Sequence, residues 1–133
     1  MSQDNVEAMR RFVEAVNEGG ADADLDLFDP EVEFHEDPTF PEATIYRGRD
    51  AVVDNFREFT ASFDGYRFEI EDVREAGGDR VLAVFHEHAR GRASGLDVHR
   101  RSGWVATFRD GKVLHVEIYL DPADAFEAVG LRE

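Results

Sequence analysis

The sequence predicts an α+β fold: a curved antiparallel sheet forming a cone, with helices packed on its concave face. Three observations carry this. Helix-periodic stretches fill the first half of the chain, strand-periodic stretches run from Tyr66 to Leu120, and Asp110-Gly111 between two such stretches is a strong hairpin signal. Helices that precede a meander of strands must bury their apolar stripes against one face of it. A strongly bent sheet roofed by helices leaves a hollow suited to a small molecule.

The first helix runs to about Asn17, with Ser2 or Asp4 as its cap. Val6, Met9, Val13 and Val16 form one stripe, Phe12 and Ala15 lie beside it, and Glu18-Gly19-Gly20 stops it. A short helix is expected over about Ala23 to Phe28, ended by Asp29-Pro30. Val32 to Glu36 reads as a short strand closed by Asp37-Pro38, and Thr39 to Thr44 as a loop. Tyr46-Arg47-Gly48 leads into a helix over about Arg49 to Phe63, whose Val52, Phe56, Phe59 and Phe63 share a strongly aromatic face. After the Asp64-Gly65 turn, Tyr66 to Ala76 is a strand with Phe68 and Ile70 inward. Gly77-Gly78-Asp79 turns into three further strands: Val81 onward, Val98 to Phe108, and Val113 to Leu120. Asp121-Pro122 starts a last short helix that Gly130 ends.

At 133 residues the chain is one domain, 1–133, with one core. A hydrophobic content of 42% with 11 phenylalanines fits a globular protein rather than a disordered one. The absence of cysteine excludes disulfides, thiolate metal sites and a cysteine nucleophile. A formal net charge of -15 argues against nucleic-acid partners, which need clustered Lys and Arg. No apolar run has the length of a membrane span and no signal pattern opens the chain, so a cytoplasmic location is expected. Lys112 is the only lysine. An acidic surface of this kind is similar to proteins of salt-adapted, halophilic cells; a GC-rich genome would explain the missing lysine but not the acid excess.

Several strings resemble the SnoaL-like proteins of the nuclear-transport-factor-2-like superfamily, which also includes ketosteroid isomerase. They are Asp29–Pro38 (DPEVEFHEDP), Tyr46–Val52 (YRGRDAV), Phe108–Asp121 (FRDGKVLHVEIYLD) and Ala125–Leu131 (AFEAVGL). The resemblance spans nearly the whole chain and implies a cystatin-like α+β roll. It also implies a homodimer through the outer sheet face. It is weak for reaction, because the fold hosts many enzymes and many non-enzymes.

Asp37 follows a strand and precedes a proline, the context in which ketosteroid isomerase relatives carry their proton-shuttling carboxylate. At the mouth of an apolar cone, desolvation would raise its pKa as a general base requires. The plainer reading is an Asp-Pro loop start in which the carboxylate bonds nearby backbone. His35, two residues earlier on the same strand face, would relay a proton or simply wall the pocket. The resemblance also implies that Phe12 and Trp104 stand where the isomerases place their tyrosine and protonated aspartate. Neither offers an O–H to an oxyanion, which argues against steroid isomerisation in its usual form.

A two-residue Ser94-Gly95 turn would set Phe85 opposite Trp104, Glu87 opposite Ser102 and Ala89 opposite Arg100, all on the concave face. Glu87 and Arg100 would then pair diagonally, as a ligand-orienting or a structural ion pair. Phe56 and Phe59 are core or pocket wall, and Tyr46 donates into the cone or lids it. His86, His88 and His99 face outward. His-x-His has a metal-ligand spacing, but no carboxylate follows at a useful distance, so neither a metal nor a cofactor is expected. Three functions compete. One is a cofactor-free isomerase- or cyclase-type enzyme doing acid/base chemistry on a small apolar carbonyl or ring compound. The others are a non-catalytic binder of a small hydrophobic molecule, and a dimeric structural domain whose cone is filled by Trp104 and Phe12.

Overall fold

The computed structural model describes residues 2–19 and 27–132. In chain order the elements are α1 (Ser2–Gly19), β1 (Phe28–His35), β2 (Ile45–Arg47), α2 (Arg49–Ala61), β3 (Phe63–Glu75), β4 (Arg80–Gly91), β5 (Asp97–Arg109), β6 (Lys112–Tyr119) and α3 (Pro122–Ala128). The helix expected over Ala23 to Phe28 falls mostly outside the described residues; Phe28 itself already begins β1. Ile45–Arg47, read as a lead-in to a helix, is a short edge strand, and Phe63 belongs to β3 rather than to the helix before it.

The six strands form one sheet in the order β2-β1-β6-β5-β4-β3. Every neighbouring pair is antiparallel except β1 and β6, which run parallel with Phe34 opposite Val116. The expectation of a purely antiparallel sheet is corrected at this one seam. Register shifts interrupt β3–β4 at two places and β5–β6 at one, and such irregularities bend and twist a sheet.

The predicted Asp110-Gly111 hairpin is present. Both residues have positive φ, 53° and 79°, as a two-residue turn of primed type requires. The β4–β5 connection differs from expectation. The strands stop pairing at Arg90 and Asp97, and Gly91 and Leu96 close a longer loop. The register therefore sets Phe85 opposite Ser102, Ala83 opposite Trp104 and Glu87 directly opposite Arg100. The predicted pairs are displaced by two residues. A shift of two preserves the face of every side chain, so the concave set is unchanged.

The concave face carries the main core. Met9, Phe12, Val52, Phe34, Ala83, Phe85, Ala106 and Val116 are buried there between sheet and helices. Asn17 ties the end of α1 to the edge strand: its amide donates to the Phe68 carbonyl at 2.8 Å, and its oxygen accepts from the Phe68 N–H at 2.9 Å. Arg49, at the start of α2, donates from Nε and Nη2 to the Phe28 carbonyl at 3.1 and 2.7 Å.

The third helix departs from the one-sided picture. Ala125 and Phe126 of α3 pack with Leu82, Val84 and Val105, side chains that alternate with the concave set and so project from the opposite face. The Asp121 side chain caps this helix by accepting from the Ala123 N–H at 3.0 Å. Among the described residues no helix is long and apolar enough to cross a membrane.

Gly103 makes the docking of α3 possible. A Cβ there would lie 2.8 Å from the Ala125 Cβ and 3.2 Å from the Pro122 Cα. Gly103→Ala is expected to destabilise the fold by roughly 1–3 kcal/mol through this overpacking. Urea denaturation checks it, and a variant as stable as the parent would show that α3 is free to lift.

Candidate functional site

The concave face is apolar except at one end, where it buries a carboxylate. Glu87 is 3% exposed. Arg100, across the β4–β5 ladder, grips it in two-pronged fashion, Nε to Oε2 and Nη2 to Oε1, each at 3.1 Å. The Tyr66 hydroxyl donates to Oε1 and the fully buried Ser102 hydroxyl to Oε2, both in short bonds. Three adjacent strands thus converge on one anion, which is what makes its burial tolerable. Burial, and after it the negative charge of Glu87, pushes the Tyr66 phenol well above its ordinary pKa, so it remains a neutral donor. Burial opposes the charge of Arg100, but Glu87 more than offsets this and the guanidinium is held charged. The guanidinium also lies over the Phe59 ring, 5.6 Å from its centroid.

Beside this network stands Trp104. Its ring centroid lies 5.2 Å from Phe85, 5.4 Å from Phe34, 6.2 Å from Phe68, and 6.3 Å from both Phe12 and Phe56. These rings fill the base of the cone. A cavity of about 100 Å³ remains toward its mouth. Phe34, Phe40, Phe56, Phe59, Phe68 and Trp104 supply the aromatic wall, Ile118 and Leu120 the aliphatic part, and Glu36, Asn55, Glu87 and Arg100 the polar groups.

Of the residues predicted for the site, Phe56, Phe59, Glu87, Arg100 and Trp104 meet around this cavity. Phe12 and Phe85 do not line it; they are core beneath it. Tyr46 sits opposite Phe34 on β2 and packs against the core from the edge, outside the lining. Burial, then the nearby Glu36 carboxylate, raises its phenol pKa.

The two residues predicted for catalysis are placed elsewhere. His35 alternates with Phe34 and so faces away from the cone. Its ring lies 4.3 Å from that of His115, with Nε2 3.0 Å from Glu33 Oε1. It lines a separate groove of about 390 Å³ with Glu117, Tyr119 and Ile45. Asp37 lines neither space. Its Oδ1 accepts from the Thr39 N–H at 2.9 Å and the Thr39 hydroxyl at 2.8 Å, and its Oδ2 from the Leu120 N–H at 2.9 Å. Burial raises the Asp37 pKa, but these three bonds outweigh it and hold the carboxyl below its usual value. The expected upward shift is therefore overturned: Asp37 is the loop-fastening aspartate of the plainer reading.

Besides Glu87, the carboxylate that lines the cavity is Glu36, which also borders the groove beside His35. Oε1 accepts from the Thr44 N–H at 3.0 Å, and among the described residues Oε2 has no hydrogen-bond donor. The sequence reading puts Ser102 on the concave face without giving it a role, and it does not single out Tyr66, Glu36 or Asn55. Alternation from Phe68 back to Tyr66, and from Phe34 on to Glu36, was the signal for two of them.

On the outer face His86, His88 and His99 lie together. His86 Nδ1 is 3.0 Å from His99 Nε2, and His86 Nε2 is 2.6 Å from Glu71 Oε1. Among the described residues no group of three or more His, Asp or Glu side chains is arranged to hold a metal ion.

Because Asp37 is more acidic in the folded chain than unfolded, its stabilisation is complete above about pH 4 and fades as pH falls through the depressed value. Asp37→Ala is expected to cost about 1–3 kcal/mol at pH 7, with the gap to the parent narrowing below about pH 4. Urea denaturation across that range checks both parts. An undiminished gap at low pH would mean the charge is irrelevant.

Residues 9–116 match the family model of the SnoaL-like domain. No curated protein matches the chain. Among solved structures, Bal32a from a soil-derived mobile gene cassette is 21% identical with a TM-score of 0.80, covering 96% of this chain and 97% of its own. A proposed SnoaL-like polyketide cyclase from Jannaschia sp. is 18% identical with a TM-score of 0.77, over 99% of this chain and 95% of its own. A proposed isomerase from Bacillus subtilis is 23% identical with a TM-score of 0.77, over 96% and 94%. At these identities the likeness is one of fold. With the family model spanning most of its length, the chain belongs to the SnoaL-like domain family.

Proposed function

We propose that the concave cavity is a binding site for a compact, largely apolar small molecule, with Arg100 as the donor that orients it. The observation that carries this reading is the immobilised guanidinium at one end of an aromatic-walled hollow. Tyr66 and Ser102 donate their hydroxyl hydrogen bonds to Glu87, and Glu87 in turn holds Arg100 through Nε and Nη2, while Nη1 is not engaged by the carboxylate. A donor held this way loses little freedom when an acceptor oxygen arrives. The membership of the family, and the cyclase and isomerase proposals attached to its structural neighbours, are consistent with a small-molecule site.

Acid/base catalysis is the second reading, and one observation favours it: Glu36 faces the cavity with an unengaged oxygen. The role first expected of Asp37 and His35 passes to that residue, one position along and on the other face. The same proposal includes a homodimer through the part of the outer face that α3 leaves uncovered.

Trp104 is the sole tryptophan, so its fluorescence reports on the cavity directly. Small cyclic ketones such as cyclopentanone are expected to shift its emission with affinities on the order of a millimolar. Asn55→Phe, which fills the hollow, should abolish the shift; a response that survives the filling places the ligand elsewhere. Sedimentation at micromolar concentration is expected to give twice the 15.1 kDa chain mass. A single species at the chain mass would remove the dimer.

A further inference from the structure

The charges around the cavity do not balance. Its lining contains two carboxylates, Glu36 and Glu87, and one guanidinium, Arg100. Arg100 and Glu87 neutralise each other in a two-pronged pair. Glu36 is left over. Its Oε1 takes one backbone N–H, from Thr44, and among the described residues it has no basic partner. The cavity therefore holds a solitary negative charge against a wall of six aromatic side chains.

An uncompensated carboxylate next to an aromatic wall disfavours an anion and favours a cation. The rings contribute the negative faces of their quadrupoles, and the Glu36 carboxylate contributes its charge at the exposed rim. The chain as a whole, at -15, concentrates cations around itself and repels anions. Size narrows the class. Apolar cavities of roughly 150 Å³ take benzene. A hollow of about 100 Å³ suits a smaller, rounder group. A strongly hydrated ion such as ammonium itself would not shed its water to enter an apolar wall, whereas an alkylated one has little to shed.

We infer that the cavity selects a small alkylated ammonium group, held by Glu36 and the aromatic wall, with any oxygen the ligand carries directed to Arg100. This rests on the cavity being the ligand site, and it adds the charge of the ligand. It also assigns Glu36 to ion pairing, a use that competes with proton transfer by the same group.

Three probes of nearly equal shape separate the possibilities: tetramethylammonium, tert-butanol and pivalate. Each is titrated against the full chain while the single indole N–H resonance of Trp104 is followed by NMR. Tetramethylammonium is expected to bind about tenfold more tightly than tert-butanol, and pivalate more weakly than either. In Glu36→Gln, whose amide oxygen keeps the Thr44 bond, the tetramethylammonium advantage should vanish. Circular dichroism confirms that the variant is folded. Equal binding of all three, a preference for pivalate, or a cation preference that survives Glu36→Gln would each overturn the inference while leaving the cavity as a ligand site. If none of the three moves the Trp104 resonance, the cavity reading itself falls, and the inference with it.

Discussion

Burying one carboxylate in the concave face governs how this site is built. An ionised group as enclosed as Glu87 costs several kcal/mol unless charge and hydrogen bonds replace the water it loses. Here the replacements come from the strands on either side of β4: Tyr66 from β3, Arg100 and Ser102 from β5. The strands cannot slip relative to one another without orphaning a buried charge. The pair thus acts as a register pin as well as the anchor of Arg100, and it stands where the packed aromatic base of the cone gives way to the open mouth.

That boundary explains why the cone is neither full nor empty. Trp104 packs the base with five phenylalanine neighbours, meeting Phe34, Phe68 and Phe85 edge to face, an arrangement aromatic quadrupoles favour, and Phe12 and Phe56 at a tilt. A structural domain needs no more than this. Toward the mouth, a guanidinium and a carboxylate take the positions that further rings would occupy, and polar groups of this kind resist being sealed under apolar side chains. The hollow persists because its lining cannot be closed without stranding Arg100 or Glu36.

How much of this was legible in the sequence depended on whether a feature was local. Alternation along β4 and β5 puts Phe85, Glu87, Arg100, Ser102 and Trp104 on one face, and they are there, although the loop between those strands is longer than the two-residue Ser94-Gly95 turn. The error was by two residues, which leaves faces intact. On β1 the Asp-Pro context and the alternation of apolar residues point to opposite faces. The Asp-Pro context drew the reading to Asp37 and, by parity, to His35. Phe34 is a buried apolar residue on that strand, and alternation from it puts Glu36, not His35, in the cone. The core-facing parity of a neighbouring phenylalanine was the better guide. The parallel β1–β6 seam and the outward docking of α3 were not legible at all. Both are contacts between segments far apart in sequence, and nothing in the local pattern of β1 distinguishes a parallel from an antiparallel neighbour.

The fate of Asp37 bears on what the site can do. A general base needs an oxygen free to take a proton and surroundings that make taking it favourable. Asp37 has three donors on its two oxygens and a pKa moved the wrong way. Glu87 has four donors on its two and would have to abandon Arg100 to accept a proton. Glu36 alone among the carboxylates at the cavity keeps an oxygen in reserve. Under the proposed readings, Glu36 is therefore the side chain at the rim with an oxygen still to commit, beside the donor Arg100. The ligand decides how: a carbonyl compound leaves Glu36 free to move a proton, and a cationic one ties it up in a salt bridge.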